Sequence, residues 1–417
     1  MSERTVESGG GRTAEAGGEH VLGDGDPRGG ARVADVVAAL EAAYPPALAE
    51  SWDAVGLVCG DPDEPVRRVL FCVDPVESTV DEAVEWGAQL LVSHHPLMLR
   101  GVTAVPANTA KGRVVHRLVR AGVALFTAHT NADSADPGVS DALAEALGLT
   151  VTGPLDPRPA DPLDALSTTV PLAHAERVLA ALAEAGAGHV GDYSDAAWLV
   201  DGTGQYRPLR GSEPALGRVG EVHREPETRI ETVLPRRLRR AVIEALRAAH
   251  PYEEPAFDLH EMADLPSSRG LGRVGELPEA EPLSAFVRRV ADALPPTAWG
   301  VRAAGDPDRP IRTVAVCGGA GDSYLDRATA LGVDAYVTAD LRHHPAGEHL
   351  ARADVPGARV PALVDVAHWA SEWPWCAQAA DVVRAALGGT VEVLVSTRRT
   401  DPWTIGATTT PTGRTPA

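Results

Sequence analysis

The chain has 417 residues, enough for about two or three domains. Its 58 acidic and 38 basic residues give a formal net charge of −20, which argues against nucleic acid as a partner. The four cysteines have no CxxC spacing, and no apolar run is long enough to span a bilayer. We therefore expect a cytoplasmic protein without a membrane segment.

The two ends of the chain are predicted to be disordered tails, at 1–30 and 399–417, because few bulky apolar residues occur there. Residues 31–153 alternate short apolar runs with amphipathic stretches, which is typical of parallel α/β units. The predicted strands of this part are 69–73, 89–92 and 124–127, and the predicted helices are 33–49, 76–87 and 110–122.

The middle segment, 154–281, breaks this rhythm. A strand at 167–171 and a helix at 173–186 are followed by a second strand and helix at 229–235 and 236–249. Two such strand-helix units predict a ferredoxin-like α+β domain. Because the pattern of the first half resumes afterwards, we interpret this segment as an insertion at a surface loop.

Residues 282–398 repeat the pattern of 31–153, with predicted strands at 313–317, 335–338 and 360–364. The repeat aligns polar residues that follow equivalent strands. The aligned pairs are Cys72 with Cys317, His95 with Asp340, His129 with His368, and Asp133 with Glu372. The fold class is therefore predicted to be α/β, as a duplicated domain with parallel-rich sheets that an α+β domain interrupts.

The aligned residues also predict a metal site, because ligand sites of open α/β sheets lie beyond the carboxyl ends of the strands. His94 and His95 are adjacent and point to different sides, so each can bind a different ion. His368 and Glu372 are four residues apart and share one face of a helix. Imidazole mixed with carboxylate suits Zn, Fe, Mn, Co or Ni.

Two other motifs are weaker. Gly318-Gly319-Ala320-Gly321 is similar to a phosphate-cradling turn, but a tight strand-to-helix turn is the preferred interpretation. His343 and His344 follow Asp340 at the start of a predicted helix, where lining the cleft and facing solvent are equally compatible with the sequence.

These motifs resemble the GTP cyclohydrolase 1 type 2 homologue family, also called the Nif-three-like dinuclear metal-centre proteins. The middle segment resembles the PII/CutA-like insertion of the longer members. Ala54 is one departure, since the family usually has Asn at this position. The matching pieces are 51–57, 93–97, 128–133, Thr338-Ala339-Asp340 and 368–372.

The resemblance implies two divalent transition-metal ions per subunit, with Zn the first choice, and a toroidal homohexamer. His95 and Asp133 would hold one ion, His94 and His368 the other, and Glu372 would bridge both. His129 and Asp340 match positions at the mouth of the same site. As catalytic residues, Glu372 would position the ions, and His129 or Asp340 would move protons.

Two functions remain open from the sequence. The first is a metal-dependent hydrolase that attacks a nucleotide or phosphoester through a metal-bridging water. The second is a non-catalytic metal-binding or regulatory protein that senses a small molecule or a metal through the insertion. The enzyme is preferred, because five protein ligands shared by two ions leave coordination positions free.

Overall fold

The computed structural model of the chain describes residues 30–407. The predicted tail 1–30 lies outside the described residues apart from Gly30, and so does 408–417 of the other predicted tail. The strands described are β1 (Ala31–Arg32), β2 (Gly56–Cys59), β3 (Pro65–Val66), β4 (Arg68–Cys72), β5 (Leu90–Ser93), β6 (Ala124–Thr127), β7 (Thr150–Pro159), β8 (Leu163–Pro171), β9 (Ala197–Tyr206), β10 (His223–Pro235), β11 (Phe257–Glu261), β12 (Pro266–Pro282), β13 (Val301–Ala304), β14 (Pro310–Ala320), β15 (Ala335–Ala339), β16 (Ala362–Val366) and β17 (Glu392–Val395). The α-helices described are α1 (Val33–Ala43), α2 (Glu77–Trp86), α3 (Ala110–Ala121), α4 (Thr130–Ser134), α5 (Val139–Ala146), α6 (Ala175–Glu184), α7 (Arg239–Ala249), α8 (Leu283–Ala293), α9 (Leu325–Leu331), α10 (His343–Ala351) and α11 (His368–Leu387).

The first half of the chain supplies most of a five-stranded sheet, in the order β17-β4-β5-β6-β2. Strands β17, β4, β5 and β6 are parallel, and β2 runs antiparallel to β6. One face of the sheet packs against α2 and α3, and the other contributes Phe71 and Phe126 to the central core. Burial on both faces explains why these strands are continuous apolar runs in the sequence.

The second half builds a six-stranded sheet in the order β13-β16-β15-β14-β12-β7. Strands β14, β15 and β16 are parallel, and the remaining strands run antiparallel to their neighbours. The parallel strands match β4, β5 and β6 in sequence order. The duplicated strand-helix pattern that the sequence predicts is therefore present as two sheets of a mixed α/β fold.

Helix α11 joins the two sheets. It packs against β4 and β17 of the five-stranded sheet, against β14 and β15 of the six-stranded sheet, and against α1 and α5. Its residues Trp375, Cys376, Ala379 and Val383 are fully buried in the core that both sheets share. The first turn of α11, which carries His368 and Glu372, is thereby held between the carboxyl ends of the parallel strands.

The middle of the chain forms a separate four-stranded antiparallel sheet, in the order β11-β8-β10-β9. Helices α6 and α7 cover one face, and their buried Val178, Leu182, Val242 and Leu246 form its core with apolar residues of β8 and β10. The sequence of elements is β-α-β-β-α-β. We call this part, Leu163–Glu261, the inserted unit.

The structure differs from the predicted boundaries in two places. Residues 154–159 and 266–281, which were predicted to belong to the insertion, lie in β7 and β12 of the six-stranded sheet. Their many Pro and Gly residues hide the strand pattern in the sequence. Thr400 and Asp401, inside the predicted tail, belong to the folded part of the chain: Thr400 hydrogen-bonds to Asp74, two residues beyond β4, and Asp401 is buried.

Among residues 30–407, no helix combines the length and apolar character needed to cross a bilayer.

Candidate metal centre

The predicted site residues follow the ends of four parallel strands. His94 and Asp340 come directly after β5 and β15, and His129 and His368 come two residues after β6 and β16. Both sheets therefore present their histidines and carboxylates at the same edge, although the repeat aligned Asp340 with His95 and the strand ends make it equivalent to His94. Helix α11 closes the group from the side with the buried carboxylate of Glu372.

The carboxylate of Glu372 lies at the centre of the site. Its Oε1 is 3.0 Å from Nε2 of His368 and 3.5 Å from Nε2 of His94, and its Oε2 is 3.1 Å from Nε2 of His95. Asp133 Oδ1 is 3.7 Å from Nε2 of His94. Glu372 therefore faces three imidazoles with two different oxygens, as a bridging carboxylate does.

Four imidazole rings of the site are held in the same way, each by a hydrogen bond at Nδ1. The Nδ1 atom of each ring makes a hydrogen bond away from the centre, which fixes the ring and leaves Nε2 facing inward. Such outer contacts are typical of metal-binding histidines, because they set the tautomer and raise the basicity of the ligand. The partners are Ala128 O for His94 at 2.9 Å, Asp74 Oδ1 for His95 at 2.7 Å, Asp53 Oδ1 for His129 at 2.8 Å, and Asp340 Oδ2 for His368 at 2.7 Å.

The negative charge of Glu372 controls the ionisation of the rings around it. It raises the pKa of His368 to about 11, and against the effect of burial it raises the pKa of His95 to about 10. Burial would raise the pKa of Glu372 itself, but His368, His95 and His94 hold it well below the usual range. The centre thus stabilises positive charge on His368 and His95 next to an ionised carboxylate.

His129 and Asp133 behave differently. Burial, aided by the nearby His94, lowers the pKa of the His129 imidazole to about 4, so this ring is neutral at pH 7. Burial also raises the pKa of the Asp133 carboxyl to about 6, although His94 opposes this change. A neutral imidazole and a carboxylate that ionises near pH 6 are both able to bind a cation or accept a proton.

Two buried atoms test whether a cation fits. His94 Nε2 and Glu372 Oε2 are shielded from solvent and make no well-aligned hydrogen bond within the described part of the chain. Oε2 has only the 3.1 Å contact with Nε2 of His95, and a bound metal ion would satisfy both atoms. The ligand atoms of His94, His95 and His129 lie within 4.8 Å of one another, as do those of His95, His368 and Glu372. The residues present therefore fit a metal.

Gly319 makes room for this arrangement. It has a φ of 69°, and a Cβ at this position would lie 2.5 Å from Glu372 Oε1 and 3.2 Å from His368 Nε2. Its amide donates to Ser371 Oγ at 2.9 Å, which ties β14 to α11. The glycine run that is similar to a phosphate-cradling turn thus lies partly inside β14 and serves the close approach of Glu372.

Residues 31–402 match the sequence profile of the family Duf34/NIF3 (NGG1p interacting factor 3). The chain belongs to the Duf34/NIF3 family. Its relatives include proteins named GTP cyclohydrolase 1 type 2 homolog, as the resemblance predicted. The alignment with the one from Mycobacterium tuberculosis has 58% identity and covers 90% of this chain and 97% of that protein. The alignment with the one from Bacillus subtilis has 41% identity and covers 75% of this chain and 83% of that protein.

Two solved structures have the same fold as this chain. A Bacillus cereus protein related to NIF3 is 35% identical and superposes with a TM-score of 0.71, and the superposition covers 89% of this chain and 98% of that protein. Staphylococcus aureus protein SA1388 is 28% identical and superposes with a TM-score of 0.73, and the superposition covers 90% of this chain and 98% of that protein. The prediction of the family and of its mixed α/β fold is confirmed.

Two cavities open onto the Duf34/NIF3 centre and share His95 and His368. The larger, about 460 Å³, is lined by Trp52, His129 and Tyr324 together with the Gly318–Gly319 turn. The smaller, about 260 Å³, is lined by Trp299 and Trp403 on the other side of the histidines. The larger cavity is the better route for a small molecule because Glu372 and Asp133 both border it.

The structure brings His94, His95, Asp133, His368 and Glu372 together, and their assignment as metal ligands stays a prediction. The Nε2 of His94, not that of His95, is the imidazole atom within 4.0 Å of Asp133, so the predicted division of ligands between two ions also stays open. Asp340 lies behind His368 and adopts a left-handed φ of 55° there. His343 and His344 are both exposed on α10.

Sequence reasoning missed Asp53 and Asp74, the carboxylates behind His129 and His95. Asp74 follows β4 by two residues, so the rule that located His129 and His368 could have located it. Asp53 comes from the loop before β2 and also accepts a hydrogen bond from the amide of Thr130 at 3.0 Å. No periodic pattern marks this loop, although it lies inside a matching piece of the family resemblance.

We expect Asp74→Ala to weaken metal binding about 10- to 100-fold, because the ring of His95 loses the acceptor that fixes it. The measurement is competition with a fluorescent zinc chelator at pH 7.5. Asp192→Ala, which removes an exposed carboxylate from the inserted unit, is the matched control and should bind as the unaltered chain does. Equal affinity in the two variants would rule out an orienting role for Asp74.

Proposed function

We propose that this chain is a hydrolase that depends on two divalent transition-metal ions and acts on a nucleotide or another phosphoester. The observation that carries the proposal is the set of four imidazoles with hydrogen-bonded Nδ1 atoms, three of which face Glu372 with Nε2. A purely structural ion would not need a cavity of about 460 Å³ beside it. The word "homolog" in the names of the relatives leaves the reaction itself to be identified.

The proposed ligands are His94, His95, Asp133, His368 and Glu372, with Zn as the first choice and Fe, Mn, Co or Ni as alternatives. Two such ions, when bound, lower the pKa of a water molecule and polarise the bond to be cleaved. Saturated structural zinc sites have four protein ligands for one ion. Five side chains shared by two ions leave positions for water and substrate.

The chain's own residues then divide the remaining work. Trp52 and Tyr324 line the larger cavity and offer aromatic surface to a planar group of the substrate. The neutral ring of His129, whose pKa burial lowers to about 4, is the group placed to accept a proton. Asp340, which accepts the His368 Nδ1 hydrogen bond, keeps that ring in place during the reaction.

The second candidate function is a metal-binding regulatory protein without catalysis. It is favoured by one feature, a cavity of about 570 Å³ in the inserted unit, which contains none of the histidines of the metal centre. We propose that this unit is ferredoxin-like and of the PII/CutA-like kind. In this alternative, a ligand of the inserted unit and a metal at the centre would act on each other's binding.

We also propose a cytoplasmic location and a toroidal homohexamer, in which the metal centres would face an internal cavity. The high net negative charge supports a small-molecule substrate over a nucleic-acid partner.

Metal content per subunit is the test of this proposal. In protein purified without a metal-affinity tag, we expect about two equivalents of a transition metal, and clearly less in His95→Ala. The measurement is elemental mass spectrometry before and after reconstitution with Zn, Mn and Fe. Less than about half an equivalent after reconstitution would refute the two-metal hydrolase. Two equivalents without turnover of any nucleotide or phosphoester would favour the regulatory alternative.

A further inference from the structure

The inserted unit contains a cavity of about 570 Å³ that the metal centre does not use. Strand β9 forms one wall, and the segments 208–215 and 252–256 close it on two other sides. Val200, Pro214 and Ala256 give these walls an apolar part. The volume is within the range of about 300–1,000 Å³ found for small-molecule sites.

The charged groups of this cavity are mostly acidic. Asp201, Glu227, Glu253 and Glu254 line it with carboxylates, and Arg229 is the one basic side chain among its described lining residues. The guanidinium of Arg229 is already paired, since its Nε is 2.8 Å from the carboxylate of Glu231. The cavity therefore offers uncompensated negative charge to a ligand.

Glu227 is the central group of this site. It is 6% exposed, and Oε1 accepts a hydrogen bond of 2.8 Å from the hydroxyl of Tyr252. Its Oε2 has no hydrogen bond to the described residues, and it lies beside Gly204, where a Cβ would be only 2.3 Å away. This second oxygen is free to accept a charge-assisted hydrogen bond from a donor inside the cavity.

Two aromatic rings stand beside this carboxylate. Tyr206 and Tyr252 pack edge to face, with ring centroids 5.3 Å apart. Burial and the hydrogen bond to Glu227 raise the pKa of the Tyr252 hydroxyl, which keeps it protonated as a donor. Carboxylate combined with tyrosine faces is the combination that binds organic cations, through charge-assisted hydrogen bonds and cation–π contact.

A bare metal ion fits this cavity poorly. Within residues 30–407, groups of three or more metal-binding atoms within 4.8 Å of one another include the histidine centre and no set from this cavity. Its carboxylates are spread over a space much larger than an ion, and Asp201 and Glu253 accept hydrogen bonds from Thr228 and the amide of Glu213. The spacing suits a longer molecule that carries its positive charge on one or two nitrogen atoms.

We propose that this cavity is a binding site for a small organic cation, a primary amine or guanidinium compound, whose charged nitrogen bonds to Glu227. The remaining carboxylates attract the cation, and the apolar wall contacts its carbon chain. The site is independent of the metal centre, so it stands whether or not the chain is a hydrolase.

Isothermal titration calorimetry of the full-length chain with putrescine, spermidine, agmatine and arginine tests this proposal. We expect at least one of them to bind, and its neutral counterpart to fail, as 1,4-butanediol would for putrescine. Glu227→Gln should weaken that binding about 10- to 100-fold, because a charge-assisted hydrogen bond is lost. Gly204→Ala, which keeps the charge but displaces the carboxylate, should weaken it as well.

Glu244→Gln is the matched control, because it removes the same charge from an exposed position of α7 that does not line the cavity. It should bind with unchanged affinity, and thermal unfolding of each variant shows whether the inserted unit remains folded. Binding of none of the four cations at 10 mM, or equal binding by Glu227→Gln and Glu244→Gln in folded protein, would overturn the proposal. Magnesium or zinc that competes fully at micromolar concentration would also overturn it in favour of a metal site.

Discussion

Replacement of Glu372 with glutamine is expected to lower hydrolytic turnover by at least about 100-fold. Even groups that only orient a metal ligand contribute about 10- to 100-fold, and Glu372 lies within 3.5 Å of three imidazole nitrogen atoms. Glutamine keeps the size of the side chain but removes the charge that would bridge two ions. The measurement is the rate of hydrolysis of GTP and of bis-p-nitrophenyl phosphate at saturating added metal.

Metal content measured on the same samples separates two causes of that loss. Turnover that falls while about two equivalents of metal remain would assign Glu372 a part in the reaction itself. Turnover that falls together with the metal would assign it the role of a ligand alone. Glu145→Gln removes an exposed carboxylate from α5 and should change neither quantity. Unchanged turnover in Glu372→Gln would refute the hydrolase proposal at this site.

The position of the site could be predicted from the sequence because polar residues follow the carboxyl ends of equivalent strands in both sheets. Each apolar run of 31–153 has a counterpart in 282–398, so aligned polar residues had to follow equivalent strands. His129 and His368 are the clearest pair, since each lies two residues beyond its strand. A duplicated pattern of this kind constrains the position of a side chain more tightly than a single motif does.

The carboxylates behind the histidines could not be found in the same way. Asp53 lies in a loop, and its hydrogen bond with His129 joins two residues that are 76 positions apart in the sequence. Thr400 reaches Asp74 from 326 residues away, and nothing in the polar segment around it distinguishes it from a tail. Contacts between residues so far apart in the sequence depend on tertiary packing, which local propensity does not encode.

In the middle segment, 154–281, the helices were easier to predict from the sequence than the strand pairing was. The helices at 173–186 and 236–249 were predictable because their apolar residues recur at helical spacing. Residues 154–159 and 266–281 were assigned to the insertion because proline and glycine interrupt them, although they lie in β7 and β12, which pair with each other. Strand β12 also pairs with β14. Long paired strands tolerate such residues at irregular register positions, and register is set by the partner strand.

Removal of the buried guanidinium of Arg273 is expected to be the most destabilising single change considered in this chain. Arg273 is 1% exposed, and its Nε donates to Asp141 Oδ1 at 2.8 Å. It also bonds to the backbone carbonyls of Ala135, Gly270 and Gly272, so it joins β12 to the loop between α4 and α5. Arg273→Met should lower the free energy of unfolding by about 3–5 kcal/mol, because the carboxylate of Asp141 is left without its partner.

Urea denaturation followed by circular dichroism measures this loss, with Arg289→Met as the control. Arg289 also forms a two-bond pair with a carboxylate, that of Glu281, but its side chain is 43% exposed. Water replaces the lost contacts there, so the control should lose less than about 1 kcal/mol. A loss in Arg273→Met as small as that in Arg289→Met would contradict the assignment. The loop that Arg273 holds begins directly after α4, which carries Asp133. If Asp133 is a metal ligand as proposed, the folded fraction of the variant should also retain less metal.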